Sequence, residues 1–315
     1  MLSDDPLDPQ LAGSTIVTTG TVTVAGRETE RPIVSTTRQV PVTFGLSGTF
    51  TGRATITPAA FGRAIEDRGF DSVFLAEHTH IPVKAESPYP FGDRPASLPH
   101  TIDPFVALTA VSVATDRLLL GTGISLVAQR DPITTAKLIA SLDLVSNGRF
   151  IFGVGTGWNV EEMANHGDAT KRGAIATEHL LAMKEIWQHD EAEFHGAFVD
   201  FDPIYSWPKP VQRPHPPIYV GGGEKAFGRV ARVGAGWLPA VESPDGLQEQ
   251  IERLRELAGR EVPVTVLHAG PSDVTALAGY AEAGVERILL PFDSEAADPL
   301  AALDDLAAFA AKLSR

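Results

Sequence analysis

The chain contains no cysteine among its 315 residues. Disulfide bonds, thiolate zinc sites and a cysteine nucleophile are therefore excluded, although this absence does not identify the cellular compartment. No stretch offers the roughly 18 uninterrupted apolar residues that a membrane-spanning helix needs. The opening residues, MLSDDPLDPQ, also lack the basic and apolar regions of a signal peptide. We therefore expect a soluble, cytoplasmic protein.

Basic residues are scarce as well, with 26 Lys and Arg against 40 Asp and Glu, which gives a net charge of -14 with His neutral. A field of that sign repels phosphate backbones and anionic lipids, and no basic stripe interrupts it. Nucleic acids and membranes are therefore not expected partners. The remaining composition is that of an ordinary globular protein, with 43% hydrophobic and 21% charged residues.

From Val42 onward, short β-rich runs alternate with helical patterns such as TPAAFGRAIEDRGF, which has Thr57 as N-cap and Pro58 at the first helical position. Eight such runs, each followed by a helix, predict an α/β protein with a (β/α)8 TIM barrel over residues 41–315. A doubly wound sheet remains the alternative. Two insertions interrupt the alternation. One follows strand 2 as a Pro-rich loop, and the other lies at 190–216, between strands 4 and 5, where FHGAF suggests a hairpin.

Residues 1–40 differ from the rest of the chain. The segment STIVTTGTVTVAGRETERPIVSTTRQV is rich in Thr and Val, alternates with period two and carries no helical signal. It is compatible with a β-hairpin that covers the barrel and equally with a disordered leader. We treat it as an N-terminal extension and place no functional residue there.

The active site of such a barrel lies at the carboxyl ends of its strands. The residues that follow the predicted strands include one acid/base pair, Glu77 and His78, and no evident metal cage. His78 and His80 are spaced to point the same way, but partners from other strands are sparse, so we predict no metal site. The glycine-rich strand end FGVGTGWNVEE is neither of the two common phosphate loops, because Trp158 stands where the dinucleotide fingerprint needs glycine and the P-loop needs lysine.

Four segments together resemble the luciferase-like monooxygenase superfamily, and more narrowly its branch of deazaflavin (coenzyme F420)-dependent oxidoreductases. They are FDSVFLAEHTHIP, LLLGTGISLVAQRDPITTAKLIASLDLVSNGRFIFGVGTGWNVEE, KRGAIATEHLLAMKEIW and PKPVQRPHPPIYVGGG. The similarity runs from about Val42 to the last helix. The resemblance implies a barrel that holds a flavin or deazaflavin ring in its mouth, a small-molecule substrate and a homodimer. It also implies a flavin or F420 reductase as a further partner.

The resemblance also implies roles for individual residues. Glu77-His78 corresponds to an acidic–His pair in which the histidine transfers a proton. Gly123 and Ile124 correspond to a bulge in strand 3 where the family often has a non-prolyl cis peptide behind the central ring. Thr156 corresponds to a residue that reaches the polar edges of the cofactor.

Asn159 is implied as a second contact to those polar edges, although it could equally be the N-cap of the following helix. The glycines Gly221, Gly222 and Gly223 stand where relatives place backbone N–H groups against the cofactor phosphate, at the start of a helix. The resemblance also implies that the glycines of FGVGTG, Gly153, Gly155 and Gly157, are packing and rim positions.

One departure bears on the substrate. Some relatives that use sugar phosphates carry a glutamate two residues after the threonine of strand 4, where this chain has Trp158. An indole there favours a more apolar or aromatic substrate, so we place Trp158 and His80 in the substrate pocket. The expected activity is hydride transfer between F420 and a small organic substrate, with His78 as the proton partner. An FMN-dependent monooxygenase supplied by a separate reductase, or a non-catalytic flavin-binding relative, is the alternative.

Overall fold

The computed structural model describes residues 16–24, 27–35, 42–271 and 273–312. The chain divides into two units, Met1–Pro41 and Val42–Arg315. In the first unit, Ile16–Val24 and Arg27–Ser35 pair as two antiparallel strands. The other parts of the predicted extension, residues 1–15, 25–26 and 36–40, lie outside the described residues.

The second unit contains the predicted (β/α)8 TIM barrel. We number its strands 1 to 8 in chain order: Thr43–Gly48, Ser72–Leu75, Leu119–Thr122, Phe150–Gly155, Ile218–Gly221, Gly236–Leu238 with Ala240–Val241, Thr265–His268 and Arg287–Pro291. Every pairing between neighbouring barrel strands is parallel, and strand 8 pairs with strand 1. The carboxyl ends of all eight strands therefore meet at one rim.

Strand 6 consists of two short pieces on either side of Pro239. Gly236–Leu238 pairs with strand 5, and Ala240–Val241 pairs with strand 7, so the sheet closes on itself through this position. Trp237, in the first piece, also forms a parallel bridge with Val264 next to strand 7, so strand 6 contacts strand 7 on both sides of Pro239. A proline cannot donate a hydrogen bond to a neighbouring strand, which explains why the ladder is interrupted there.

A helix follows each barrel strand, as predicted. The helices are Pro58–Asp67, Pro104–Ser112, Pro132–Val145, Arg172–Gln188, Phe227–Val233, Leu247–Ala258, Val274–Glu282 and Pro299–Ala310, with a short extra helix, Val160–Ala164, directly after strand 4. Those that start with proline are preceded by a threonine or aspartate whose side chain accepts a backbone N–H. This combination of N-cap and N1 proline is the local signal that the sequence carries.

Both predicted insertions are present. The segment 76–103, between strand 2 and its helix, is an irregular loop with a 3-10 turn at Leu98–His100. Before strand 5, Glu191–His195 and Asp200–Tyr205 form the antiparallel hairpin that the FHGAF sequence predicts. No helix in the described part of the chain combines the length and apolar character needed to cross a membrane.

The barrel interior is filled by large side chains. Phe74, Ile151, Tyr219, Leu238 and Leu289 form one buried cluster. They come from five different barrel strands, so they can meet only inside the barrel. The interior is therefore a packed core, and a ligand must bind above it at the rim.

Candidate active site at the carboxyl ends of the strands

A cavity of about 440 Å³ opens at the carboxyl ends of the barrel strands. Its volume is within the usual range for small-molecule sites. Most of the predicted site residues line it: Glu77, His78, Gly123, Ile124, Thr156, Trp158, Gly221, Gly222 and Gly223. Two further predicted residues, Asn159 and His80, are not among the described residues that line this cavity.

The floor of the cavity is made by glycines at the ends of strands 3, 4 and 5. The peptide bond between Gly123 and Ile124 is cis, as the resemblance implies. A Cβ atom on Gly155 would lie 2.0 Å from Cδ1 of Ile124, and one on Gly221 would lie 3.0 Å from its Cγ2. The Ile124 side chain therefore packs across both glycines, and larger residues there would collide with it. The floor therefore consists of glycine backbone and of the Ile124 side chain that packs against it.

The side chain of Glu77 is buried, with 1% of it exposed. Its carboxylate accepts hydrogen bonds from Arg130 Nε at 2.6 Å, from Ser125 Oγ at 2.7 Å and from Leu126 N at 2.8 Å. A second guanidinium nitrogen of Arg130 also contacts it. These contacts anchor the chain that follows the cis bond. The Glu77 carboxylate is not hydrogen-bonded to His78, although the sequence analysis treated the two as a pair.

The partner of His78 is Glu162. Nδ1 of His78 lies 2.8 Å from Oε2 of Glu162, and Oε1 of Glu162 accepts a hydrogen bond from Thr79 N at 3.2 Å. The side chains of His78 and Glu162 are 7% and 1% exposed. Sequence reasoning missed Glu162. The available signal was the spacing Asn159-x-x-Glu162, which is that of a capping box at the start of a helix.

The aromatic side chains of Trp158, Tyr89 and Phe91 line one side of the cavity next to His78, and we call them the aromatic wall. The ring of Trp158 packs edge-on against His78 at a centroid distance of 5.7 Å and against Tyr89 at 5.3 Å. Tyr89 in turn packs edge-on against Phe91 at 5.4 Å. Burial raises the pKa of the Tyr89 hydroxyl, which keeps it protonated at neutral pH. No lysine or arginine is found among the described residues that line the cavity.

The loop that carries Tyr89 is tied to the helix after strand 4. Oε1 of Glu161 accepts hydrogen bonds from the backbone N–H groups of Glu86 and Ser87, both at 3.2 Å. Oγ of Ser87 accepts one from Val160 N at 3.1 Å. These contacts hold the long insertion against the fourth strand end and fix the position of the aromatic wall.

Asn159 and His80 lie beside the cavity. Asn159 is the N-cap of Val160–Ala164, accepting a hydrogen bond from Glu162 N at 2.9 Å. Its Nδ2 is buried and has no hydrogen-bond partner among the described residues. The N-cap interpretation is therefore confirmed, while the contact to a cofactor stays a prediction. The ring of His80 contacts Oγ1 of Thr79 at 2.9 Å and Nδ2 of Asn165 at 2.8 Å.

The triple glycine forms an exposed part of the rim. Gly222 has a φ of +112°, a conformation that favours glycine. Gly223 directly precedes the 3-10 turn Glu224–Ala226, which continues into Phe227–Val233. A Cβ atom on Gly223 would meet nothing within 4 Å. Elsewhere, the described residues include no group of three or more His, Asp or Glu that could hold a metal ion.

Comparisons with known proteins agree with this architecture. The sequence profile of the luciferase-like monooxygenase family matches residues 53–309, and the chain belongs to this family. An uncharacterised protein of Mycobacterium bovis is 42% identical over 266 residues, which cover 80% of this chain and 93% of that protein. The FMNH2-dependent dimethylsulfone monooxygenase of Pseudomonas putida is 33% identical over 132 residues, which cover 40% of this chain and 36% of that enzyme.

Among solved structures, an F420-dependent secondary alcohol dehydrogenase in complex with an F420–acetone adduct matches the fold with a TM-score of 0.68. The match covers 86% of this chain and 99% of the dehydrogenase, at 17% sequence identity. At that identity the likeness establishes the fold alone. Members of the family are oxidoreductases or monooxygenases.

Proposed function

We propose that this protein is a coenzyme F420 (deazaflavin)-dependent oxidoreductase that transfers a hydride between the cofactor and a small organic substrate. The observation that carries the proposal is the buried contact between His78 and Glu162 on the wall of a cavity with a glycine floor. Oxidation of an alcohol, or reduction of a carbonyl, moves one proton together with each hydride. His78 is placed to exchange that proton with a substrate in the cavity.

The residues present fit a flat tricyclic ring. Glycines at three strand ends keep the lining of the cavity low, with the Ile124 side chain packed against two of them, and the unpaired Nδ2 of Asn159 offers a buried hydrogen-bond donor beside it. A bound deazaflavin supplies or accepts a hydride at its ring. Gly123 and Ile124 would support the ring face, and Thr156 would contact its polar edge.

The remaining groups would complete the binding site. The backbone N–H groups of Gly221, Gly222 and Gly223 would bind the cofactor phosphate at the rim. The aromatic wall would exclude water from the reacting atoms and contact the substrate.

An FMN-dependent monooxygenase is the second candidate. It is supported by the sequence similarity to the dimethylsulfone monooxygenase, which is an FMNH2-dependent enzyme. This activity would require a separate flavin reductase as a partner.

Fluorescence titrations of the purified apoprotein with oxidised F420 and with FMN distinguish the two candidates. We expect saturable binding of F420 and much weaker binding of FMN. Preference for FMN would reject the proposal in favour of the monooxygenase, and oxygen uptake with a reductase would then be measured. Binding of neither compound would reject both.

Replacement of Gly223 by leucine is expected to weaken cofactor binding by tenfold or more, which is about 1.4 kcal/mol. The backbone there has a φ of -79°, and a Cβ atom would meet nothing within 4 Å, so the variant should fold normally. The added side chain would instead occupy the mouth of the cavity. Gly228→Leu is the matched control, because Gly228 is also exposed with open space at its Cβ position but does not line the cavity. Equal cofactor affinities of the two variants would mean that the cofactor phosphate does not bind at Gly223.

A further inference from the structure

The carboxylate of Glu162 contacts the segment that carries His78. Glu162 is the third residue of the helix Val160–Ala164, and Asn159 is its N-cap. At this spacing a glutamate commonly turns back to the N–H of the N-cap residue and completes a capping box. Here one carboxylate oxygen contacts Nδ1 of His78 and the other accepts a hydrogen bond from Thr79 N. The side chain therefore joins the ends of strands 2 and 4.

This contact determines which nitrogen of His78 carries a hydrogen. An ionised carboxylate can only accept a hydrogen bond, so Nδ1 must be the donor. The other ring nitrogen, Nε2, has no hydrogen-bond partner among the residues that the structure describes. Because His78 lines the cavity, Nε2 is the atom left to exchange a proton with a ligand.

Other ionisable groups near His78 are engaged elsewhere. The carboxylate of the preceding residue, Glu77, accepts hydrogen bonds from the Arg130 guanidinium, the Ser125 hydroxyl and the Leu126 backbone N–H. The ring of His80 contacts a threonine and an asparagine side chain. On the other side of the imidazole lies the uncharged indole of Trp158. Among the described residues, Glu162 is therefore the acid that sets the tautomer of His78.

We propose that Glu162 is a positioning residue that holds His78 with its hydrogen on Nδ1 and leaves Nε2 as the acid–base atom of the cavity. The inference rests on the proposed proton-transfer role of His78 but not on the identity of the cofactor. Burial of both side chains strengthens the contact, because water screens it only weakly.

Nitrogen-15 NMR of the histidine side chains in the full-length, cofactor-free protein tests the proposal. The chain has nine histidines, and the His78→Gln variant identifies the signal of interest by its loss. In mildly alkaline solution we expect wild-type His78 in the Nδ1–H form. In Glu162→Gln the amide can either donate or accept a hydrogen bond, so the Nε2–H form should increase severalfold.

The adjacent acid provides a matched control. Glu161→Gln removes a neighbouring carboxylate charge from the same helix. Its amide oxygen can still accept the hydrogen bonds from the backbone of residues 86 and 87, so the aromatic wall keeps its position. The tautomer of His78 in this variant should match that of the wild type. An equal change in both variants would mean that loss of charge in the helix, and not the Glu162 contact, alters His78.

Turnover provides a second readout. Glu162→Gln should lower turnover by about 10²-fold, the lower end of the range for general acid–base catalysis, and Glu162→Asp should recover part of the loss. The double variant Glu162→Gln/His78→Ala should be no slower than His78→Ala alone, because residues that act as one unit are not additive. Losses that multiply in the double variant would overturn the proposal.

A wild-type His78 in the Nε2–H form would overturn the inference without any variant, and so would a Glu162→Gln spectrum identical to that of the wild type. Failure of the protein to bind F420 would reject the proposed function alone, since the NMR measurement needs no cofactor.

Discussion

Turnover by the His78→Ala variant is expected to fall by about 10²–10⁴-fold, the contribution that a positioned acid or base typically makes. His78 lines the cavity, is held by a buried carboxylate and retains one ring nitrogen for proton exchange. Cofactor affinity should stay close to that of the wild type, because the glycine floor and rim do not depend on the imidazole. The change in F420 absorbance with small alcohols and carbonyl compounds measures turnover, and the fluorescence titration measures affinity.

The control for this variant is His189→Ala. His189 follows the helix Arg172–Gln188, is largely exposed and contacts Glu185. It is not among the residues that line the cavity. Its loss should leave turnover unchanged. If His78→Ala turned over as fast as His189→Ala, His78 would have no part in the mechanism.

The Arg130→Met variant is expected to lose about 3–5 kcal/mol of unfolding free energy, the usual cost of removing one partner from a buried ion pair. It would leave the Glu77 carboxylate, with 1% of its side chain exposed, without its cation. Burial by itself would lower the pKa of Arg130, but the carboxylates of Glu77 and Asp103 outweigh it and raise that pKa, so the guanidinium stays charged. Equilibrium denaturation in urea at neutral pH measures the loss.

Two further variants make this prediction specific. Glu77→Gln in the Arg130→Met background removes the unpaired charge and should recover part of the stability. Arg253→Met removes an arginine from an ion pair with Glu224 in which both side chains are 53% exposed, and it should cost far less. A similar loss in Arg253→Met and Arg130→Met would contradict the role assigned to the buried pair.

The barrel could be predicted from the sequence because its signals are local. Each strand is a short apolar run, and the start of several helices is indicated by an N-cap residue followed by proline, as at Thr57-Pro58. The division of strand 6 at Pro239 was not predicted, although the missing backbone N–H of a proline is a local signal for such an interruption.

The candidate site was only partly predictable, since its contacts are distant in sequence. Glu162 reaches His78 across 84 positions, and Arg130 reaches Glu77 across 53. Adjacency in sequence and the family resemblance predict Glu77 and His78 as a pair, but successive side chains of an extended chain point to opposite sides. The cofactor contacts of Thr156 and of the triple glycine, the homodimer and the cytoplasmic location stay predictions.

The helix Val160–Ala164 has five residues, too few to be stable without tertiary contacts. Glu161 binds the loop that carries the aromatic wall, and Glu162 binds His78. Its stability therefore depends on tertiary contacts, which include these two and the burial of Met163 in the core. Unwinding of the helix would break both contacts with the cavity at once, so it would also release the imidazole. If a substrate channel opened in this way, His78 could not transfer a proton until the helix had formed again.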